Sequence, residues 1–236
     1  MISDGKGGFV TEKDAYGVEQ LYYELESGNT SIVQKYGGIT GHSDKKTVYL
    51  TFDEGYENGY SGKILDTLKE KGVQAIFFVT GEFVESNPDL IRRMHAEGHL
   101  IGNHTENHLT MPEQSDENFM AELNKLEKRV QAILGEDYTM SYYRPPEGWL
   151  SERDMALAQM MGYKPTFWSF AYGDYYDVDN GTQEHKDYAY RRITQSLHDG
   201  EVFLLHAVSR ANAELLGDVI DYIRAQGYAI ERIDKM

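Results

Sequence analysis

The chain has 236 residues, 40% hydrophobic and 26% charged, which suits one large globular domain with a buried core. Its formal net charge of −16 opposes binding to a phosphate backbone, so we expect no nucleic-acid partner. The sequence has no cysteine, which excludes disulfides and thiolate chemistry, and it has no apolar run of about 18 residues that would predict a transmembrane helix.

Residues 1–46 are polar and loosely patterned. We expect them to form an N-terminal extension that packs on the domain that follows. The spacing of Val18, Leu21 and Tyr22 predicts one face of a short helix within it. The opening residues lack the basic and apolar stretches of a signal peptide.

From residue 47 onward, short apolar runs alternate with longer amphipathic segments. Helices are predicted around Leu65 and Ile91, after Ser151, and at 116–134, 187–198 and 211–226. Strands are predicted at 47–52, 75–79, 100–101, 142–143, 166–170, 202–205 and 228–233. This alternation predicts about seven β/α units, and therefore an α/β domain over 47–236 with a parallel sheet under helical cover.

Polar residues follow five of these strands. In a parallel β/α barrel the carboxyl ends of the strands open on one face, so residues after different strands converge there. We therefore expect one site built from Asp53 and Glu54, His104 and His108, Arg144, Asp174, and His206.

Each of these residues also has a structural interpretation. His104 and His108 have the i, i+4 spacing with which one helical turn binds a metal, although paired surface histidines are common. Asp53 and Glu54 could cap a helix, or one could bind a metal while the other takes a proton from water. Arg144 could hold a carboxylate or be a surface residue of a proline turn, and His206 could be an ordinary core histidine.

Five segments in this order resemble the polysaccharide deacetylases of carbohydrate esterase family 4. They are residues 51–55 (TFDEG), 104–108 (HTENH), 144–148 (RPPEG), the Asp174-Tyr175 stretch, and Leu205-His206. The continuations 55–60 (GYENGY) and 206–214 (HAVSRANAE) resemble the branch that deacetylates peptidoglycan muramic acid during δ-lactam formation in spore formers.

The resemblance implies a distorted (β/α)7-type barrel and a role for each matching residue. Asp53 would be the general base and Arg144 would orient it, while His206 would be the general acid, tuned by Asp174. A backbone N–H at Pro146-Glu147 would help to hold the oxyanion. Glu54, His104 and His108 would bind one divalent metal. Zinc is the first choice, and cobalt, manganese or nickel could replace it.

Two positions depart from the family pattern. The family's acidic ligand is usually Asp, whereas this chain has Glu54, which is one methylene longer. The turn carries Glu147, where an aromatic or basic residue is expected. We expect Glu147 and Arg210 to contact substrate, because Glu147 would repel the lactyl carboxylate of muramic acid and Arg210 would compensate for it.

These observations predict metal-dependent removal of acetyl groups from peptidoglycan, on its muramic acid or glucosamine units, with release of acetate. We expect a monomer that is secreted or faces the cell wall of a bacterium, with its export signal absent from this chain. One alternative is a deacetylase of chitin-type oligomers or acetylated xylan. A second alternative is an inactive carbohydrate-binding barrel.

Overall fold

The computed structural model describes residues 9–13, 19–23, 27–41 and 43–236, with side chains from residue 30 onward except His42. Two N-terminal strands, β1 (Phe9–Lys13) and β2 (Glu19–Tyr23), form an antiparallel pair. Leu21 and Tyr22 belong to β2, so the short helix predicted there is wrong, while Val18 lies outside the described residues. Apolar residues such as Leu21 and Tyr22 occur in paired strands as well as in helical turns, so their spacing alone does not distinguish the two.

The main sheet has seven strands, and every pairing in it is parallel. Its order is β7-β6-β5-β4-β3-β8, and β9 also pairs with β3. The strands are β3 (Thr47–Glu54), β4 (Ile76–Val79), β5 (Leu100–Asn103), β6 (Tyr142–Tyr143), β7 (Lys164–Pro165), β8 (Val202–His206) and β9 (Ala229–Ile230).

Helices cover this sheet in the alternating pattern that the sequence predicts. They are α1 (Ser27–Lys35), α2 (Ser61–Lys71), α3 (Gly81–Ser86), α4 (Pro88–Ala96), α5 (Asp116–Leu134), α6 (Glu152–Met160), α7 (Gln183–Gln195) and α8 (Arg210–Ala225). The predicted α/β barrel of parallel strands is confirmed.

Local sequence signals explain where the helices begin and which face they bury. Ser151 caps α6, since its side chain accepts a hydrogen bond from the Asp154 N–H, as the sequence indicates. On α5 the buried residues Phe119, Leu123, Leu126 and Val130 recur at helical spacing. All eight residues of β3 are buried, which is typical of a parallel strand covered on both faces.

The predicted strand at 166–170 is instead a crossing segment that closes the curved sheet. Thr166 donates its N–H to the Tyr143 carbonyl beside β6 and β7, whereas Phe170 forms a single parallel bridge with Phe203 of β8. The segment is buried and apolar like a strand, but it passes from one edge strand to the other. It therefore runs from the carboxyl end of β6 to residues 202–204 of β8.

The N-terminal region is joined to this sheet at its described end. Val33 of α1 is fully buried, and Ile39 pairs in parallel with Thr166. The prediction that the whole of 1–46 packs on the domain extends to residues outside the described ranges and stays a prediction. None of the helices in the described part of the chain has the length and apolar character needed to cross a bilayer.

Candidate active site

A cavity of about 500 Å³ opens at the carboxyl ends of the strands. Five sequence-predicted residues line it: Asp53, His104, His108 and His206 from three different strand ends, and Glu147 from the turn after β6. Its walls are largely aromatic and comprise Tyr56, Trp149, Trp168, Tyr172 and Tyr175. The convergence expected from the sequence is therefore present, and the cavity size is that of a small-ligand site.

Strand register brings Asp53 and His206 side by side. β3 and β8 are neighbours, and Asp53 lies opposite His206 in the parallel ladder. Because residues at one register position of adjacent strands project to the same face, both side chains reach the cavity.

Arg144 lies behind Asp53 and holds it. Its Nη1 donates to Asp53 Oδ1 at 2.7 Å, its Nε donates to the Thr166 carbonyl at 3.1 Å, and its Nη2 donates to the Phe167 carbonyl at 3.3 Å. The guanidinium is fully buried over the ring of Phe78, 4.1 Å from the ring centroid. The crossing segment thus fixes the arginine, and the arginine fixes the carboxylate.

This arrangement sets the charge of Asp53. Burial by itself raises the pKa of Asp53, but the Arg144 guanidinium, helped by His104 and His206, outweighs burial and lowers that pKa below its ordinary value. Asp53 is therefore ionised at neutral pH, with Oδ1 occupied by Arg144. Its Oδ2 lies 3.6 Å from His104 Nε2 and faces the cavity side.

His104 and His108 lie in a loop, so the helical turn predicted for them is wrong. Thr105 and His108 have φ values of 69° and 53°, in the left-handed region that non-glycine residues seldom adopt. The two imidazoles nevertheless meet, with ring centroids 4.9 Å apart. The i, i+4 spacing is therefore used by a strained loop rather than by a helix.

Side chains that the sequence analysis did not single out hold this loop. Asn103 Oδ1 accepts from the Thr105 N–H at 3.0 Å, and Thr105 Oγ1 accepts from the His108 N–H at 3.0 Å. The Glu122 carboxylate of α5 binds the N–H and the side-chain amide of Asn107 at 2.8 and 2.6 Å. These hydrogen bonds hold the loop in place and so maintain the left-handed backbone of Thr105 and His108. In the sequence, Glu122 falls among the apolar residues of the predicted helix at 116–134, and this position is the signal that could have indicated its role.

The two imidazoles are suited to bind a metal. His104 Nδ1 lies 2.9 Å from the Arg144 carbonyl, so Nδ1 carries the proton and Nε2 is the free donor atom. Burial lowers the pKa of His104 to about 4, which keeps the ring neutral. A metal ligand needs this neutral form.

Glu54 does not join them. Successive strand residues point to opposite faces, so Asp53 reaches the cavity while Glu54 points into the helical cover. Glu54 is fully buried, and its Oε2 accepts from Ser61 Oγ at 3.0 Å. Over the described ranges, no three His, Cys, Asp or Glu side chains form a group that could hold a metal ion. These side chains fit a metal held by two histidines, and they do not fit the three-ligand set that includes Glu54.

Glu54 belongs instead to a carboxyl pair with Glu57, which is half-buried. Ser61 Oγ also hydrogen-bonds Glu57, so one hydroxyl lies between two carboxyl groups. Burial raises the pKa of Glu54 well above its ordinary value, and the neighbouring charges of Glu57 and Asp53 raise it further. The Oε1 of Glu54 has no hydrogen-bond partner, as expected of a neutral group held away from water.

We therefore expect Glu54→Gln to gain stability relative to wild type as pH rises. A carboxyl whose folded pKa is raised binds its proton more tightly when folded, so its contribution is lost above the unfolded pKa near 4.5. Gln does not titrate, and the difference should grow by at most about 1.4 kcal/mol per pH unit. Urea unfolding between pH 4 and 8 measures it. A constant difference across this range would show that Glu54 is ionised in the folded protein.

His206 is held by a buried carboxylate. Asp174 Oδ1 lies 2.7 Å from His206 Nδ1, and Asp174 Oδ2 accepts the His206 backbone N–H at 2.7 Å. The Asn212 amide donates to the same Oδ2, and Tyr172 donates to Asn212 Oδ1, both at 2.5 Å. Nδ1 therefore carries a proton, and Nε2 is the atom left to face the cavity.

Asp174 keeps His206 protonatable. Burial alone lowers the pKa of His206, but the Asp174 carboxylate more than offsets burial, and the pKa is raised above its ordinary value. The sequence motif indicates the Asp174–His206 pair. The supporting role of Asn212 and Tyr172 was missed, although Asn212 lies in the quoted segment 206–214.

Asp174→Asn should lower the pKa of His206, because burial then acts without an opposing carboxylate. Nitrogen-15 NMR titration of the imidazoles measures this shift directly. Wild type titrated in the same buffer provides the reference curve for His206. An unmoved His206 curve would mean that Asp174 only positions the ring.

The two predicted substrate contacts lie in different places. Glu147 lines the cavity, with φ of 56°, and its Oε2 accepts from Trp149 Nε1 at 3.0 Å. Arg210 does not line the cavity, because its Nε is paired with Glu214 at 2.7 Å on the first turn of α8. The structure therefore does not bring Arg210 to Glu147, and the predicted compensation between them is absent.

The arrangement combines an ionised carboxylate, a protonatable imidazole and a pair of adjacent imidazoles around one cavity. Asp53 can accept a proton, and His206 can donate one. The adjacent imidazoles of His104 and His108 can bind a Lewis acid in the same cavity. Such a set is suited to hydrolysis of an acyl group held in an aromatic-walled cleft.

Comparison with known proteins gives a consistent result. Residues 40–164 match the family model described as polysaccharide deacetylase. The peptidoglycan-N-acetylmuramic acid deacetylase PdaA of Bacillus subtilis is 42% identical over 207 residues, which are 87% of this chain and 77% of that protein. A peptidoglycan-N-acetylglucosamine deacetylase of Bacillus cereus is 30% identical over 197 residues, 83% of this chain and 69% of that protein.

The fold matches as well. The solved structure of Bacillus subtilis PdaA, described as a family 4 carbohydrate esterase, superposes with a TM-score of 0.83 at 38% sequence identity. The match covers 97% of this chain and 94% of that one. The curved parallel sheet is thus shared with this structure almost from end to end.

Proposed function

Because the chain belongs to the polysaccharide deacetylase family, we propose that it hydrolyses the N-acetyl groups of peptidoglycan glycan strands and releases acetate. The observation that carries this proposal is the pairing of Asp53 with His206 at one register position of β3 and β8, beside the adjacent imidazoles of His104 and His108. The relatives named above are peptidoglycan deacetylases, which supports the substrate class.

His104 and His108 would hold one divalent metal, which supplies Lewis acidity toward the acetyl carbonyl and a lowered pKa for the attacking water. Zinc is our first choice for two imidazole donors, and cobalt, manganese or nickel are substitutes. Family 4 deacetylases are generally metal-dependent, so the requirement is expected for this chain too.

Asp53 acts as the general base. Its Oδ1 is fixed by Arg144, so Oδ2 is the oxygen that takes the proton from the attacking water. The ionised state kept by Arg144 makes this oxygen available at neutral pH. A backbone N–H of the turn at Pro146-Glu147 helps to hold the developing oxyanion.

His206 acts as the general acid. Its Nδ1 is bound to Asp174, so Nε2 delivers the proton to the departing nitrogen and yields a free amine on the sugar. The aromatic walls offer faces on which sugar rings stack, and Tyr175 lies 5.0 Å from the His206 ring, centroid to centroid. A sugar ring stacked on these walls would lie beside His206, so that Nε2 can protonate the departing nitrogen.

Metal binding discriminates between the two possible ligand sets. We expect His104→Ala to lose metal affinity by at least tenfold, because a positioned imidazole donor is removed. Glu54→Gln should bind the metal as wild type does, because the Glu54 carboxyl is bound to Ser61 away from the histidines. Titration calorimetry with zinc on the chelator-treated protein measures both. A lower zinc affinity in Glu54→Gln than in wild type would show that Glu54 is a metal ligand.

The proposed activity is tested by acetate release from purified peptidoglycan, with and without chelator. Mass spectrometry of the digested strands should show the loss of one acetyl group from each modified sugar. Acetate from chitin-type oligomers or acetylated xylan, with peptidoglycan untouched, would keep the chemistry and change the substrate class. No acetate from any of these would favour an inactive carbohydrate-binding barrel.

The inactive barrel is the weaker alternative. Carbohydrate binding alone has no need for a buried Arg144 that keeps Asp53 ionised, or for an Asp174 that keeps His206 protonatable. Because the relatives act on peptidoglycan, we propose that this protein works outside the bacterial membrane, at the cell wall, as a monomer.

A further inference from the structure

Glu147 is a carboxylate of the catalytic cavity that has no ion pair with a cationic side chain among the described residues. Among the described lining residues of this cavity there is neither Lys nor Arg. The charged groups behind the wall are engaged with each other, since Arg144 is paired with Asp53, and Asp174 is paired with His206. Glu147 receives the neutral indole N–H of Trp149. An indole donor fixes a carboxylate without cancelling its charge.

We propose that the cleft selects an N-acetylhexosamine unit that carries no free carboxylate, and that Glu147 is the residue that discriminates. This inference rests on the proposed deacetylase activity and specifies its substrate. Two sources supply such a unit: N-acetylglucosamine, and muramic acid whose lactyl carboxyl is amide-linked. Muramic acid with a free lactyl carboxylate would bring a further negative charge into the cavity of Glu147, whose described lining residues include neither Lys nor Arg to receive it.

The backbone at Glu147 supports a dedicated position for this carboxylate. Its φ of 56° is left-handed, where a side chain other than Asn, Asp or Gly is uncommon. The preceding residues Pro145 and Pro146 are buried, and the turn that they form directs Glu147 to the cavity. Backbone strain of this kind clusters at functional sites.

An adjoining groove of about 620 Å³ has the same polarity. It shares Gly55, Tyr56 and His108 with the cavity, so a glycan strand could extend from one into the other. Its charged lining residues are Glu82, Glu85, Glu106 and Arg129. Arg129 is bound to Glu106 at 2.7 Å and to Glu85 at 3.2 Å. The charge of this lining cation is therefore already neutralised.

The test uses one glycan preparation in two charge states. Strands with free lactyl carboxylates are compared with the same strands after conversion of those carboxyls to primary amides, at equal metal occupancy. Wild type should prefer the amidated strands by about fivefold in kcat/KM, the scale of an exposed charge pair, mainly through KM. The preference should shrink as salt is raised.

Variants assign the preference to one side chain. Glu147→Gln should abolish the preference between the two preparations, and Glu147→Arg should reverse it. Glu147→Asn, which tolerates the left-handed backbone, repeats the neutralisation if Gln disturbs the turn. Glu70→Gln removes the same charge from an exposed position near the end of α2 and should retain the wild-type preference.

The outcomes separate this inference from the activity on which it rests. Acetate released equally from both preparations by wild type would overturn the role of Glu147 and leave the deacetylase intact. A preference that persists in Glu147→Gln and Glu147→Asn would do the same. No acetate from either preparation would overturn both. Mass spectrometry assigns the lost acetyl group to glucosamine or to amidated muramic acid, which identifies the source.

Discussion

Asp53→Asn should lower kcat by roughly 10²–10⁴ while leaving metal affinity largely intact, since that is the scale for removing a positioned base. Asn retains the oxygen that accepts from Arg144 Nη1, so the side chain should keep its place. It cannot take a proton from water at neutral pH. Steady-state acetate release measures the rate, and zinc calorimetry measures the affinity.

The neighbouring residue provides a matched control. Glu54→Gln makes the same chemical change one position along β3, but on the opposite face of the strand. We expect it to keep activity within about tenfold of wild type, because its carboxyl does not line the cavity. Near wild-type turnover in Asp53→Asn would require another base. A loss of turnover in Glu54→Gln as large as that in Asp53→Asn would show that the Glu54 carboxyl takes part in the reaction.

Arg144→Met should shift the acidic limb of the rate profile to higher pH. Without the guanidinium, burial is the main influence on Asp53 and raises its pKa, so a higher pH is needed to ionise the base. In wild type the lowered pKa of Asp53 contributes stability above its unfolded pKa, and this contribution is lost as pH falls through the folded value. The variant lacks this contribution.

The same substitution should reduce the free energy of unfolding by about 3–5 kcal/mol, since it leaves a buried charge without its partner. Urea unfolding at pH 7 measures this loss. The double variant Asp53→Asn with Arg144→Met buries neither charge, so its loss should be smaller than the sum of the two single losses. Additive losses would show that the pair is not coupled.

Arg144→Lys separates charge from geometry. Lys keeps a positive charge beside Asp53, but it cannot donate at once to Asp53 and to the Thr166 and Phe167 carbonyls as the guanidinium does. We expect an acidic limb close to that of wild type, with part of the stability lost. A limb shifted as far as in Arg144→Met would mean that the guanidinium geometry, rather than its charge, ionises Asp53.

The sequence alone was sufficient to predict the alternation of strands and helices. It was also sufficient to predict that a site lies where the strands end. Apolar runs bounded by polar residues predict β3, β4 and β8 because parallel strands are buried on both faces. Since all carboxyl ends of a parallel sheet share one edge, the strand pattern by itself predicts that Asp53 and His206 lie close together. The capping serine of α6 was visible for a similar local reason.

Local patterns failed where tertiary contacts decide the conformation. The spacing of His104 and His108 predicts a helical turn, but bonds from Asn103 and Glu122 hold a loop with two left-handed residues. The segment 166–170 is apolar like a strand, but it crosses between edge strands, because the curved sheet needs closure there.

Side-chain direction and charge pairing were decided by the tertiary structure alone. Adjacent acids look equivalent in a sequence, yet the two faces of β3 send Asp53 to the cavity and Glu54 to Ser61. Arg210 has a partner of its own in Glu214, which leaves Glu147 without a counter-charge among the described residues of the cavity. The sequence thus determined which residues are available for the chemistry. Packing determined which of them face one another, because a side chain's neighbours depend on strand register and on helices distant along the chain.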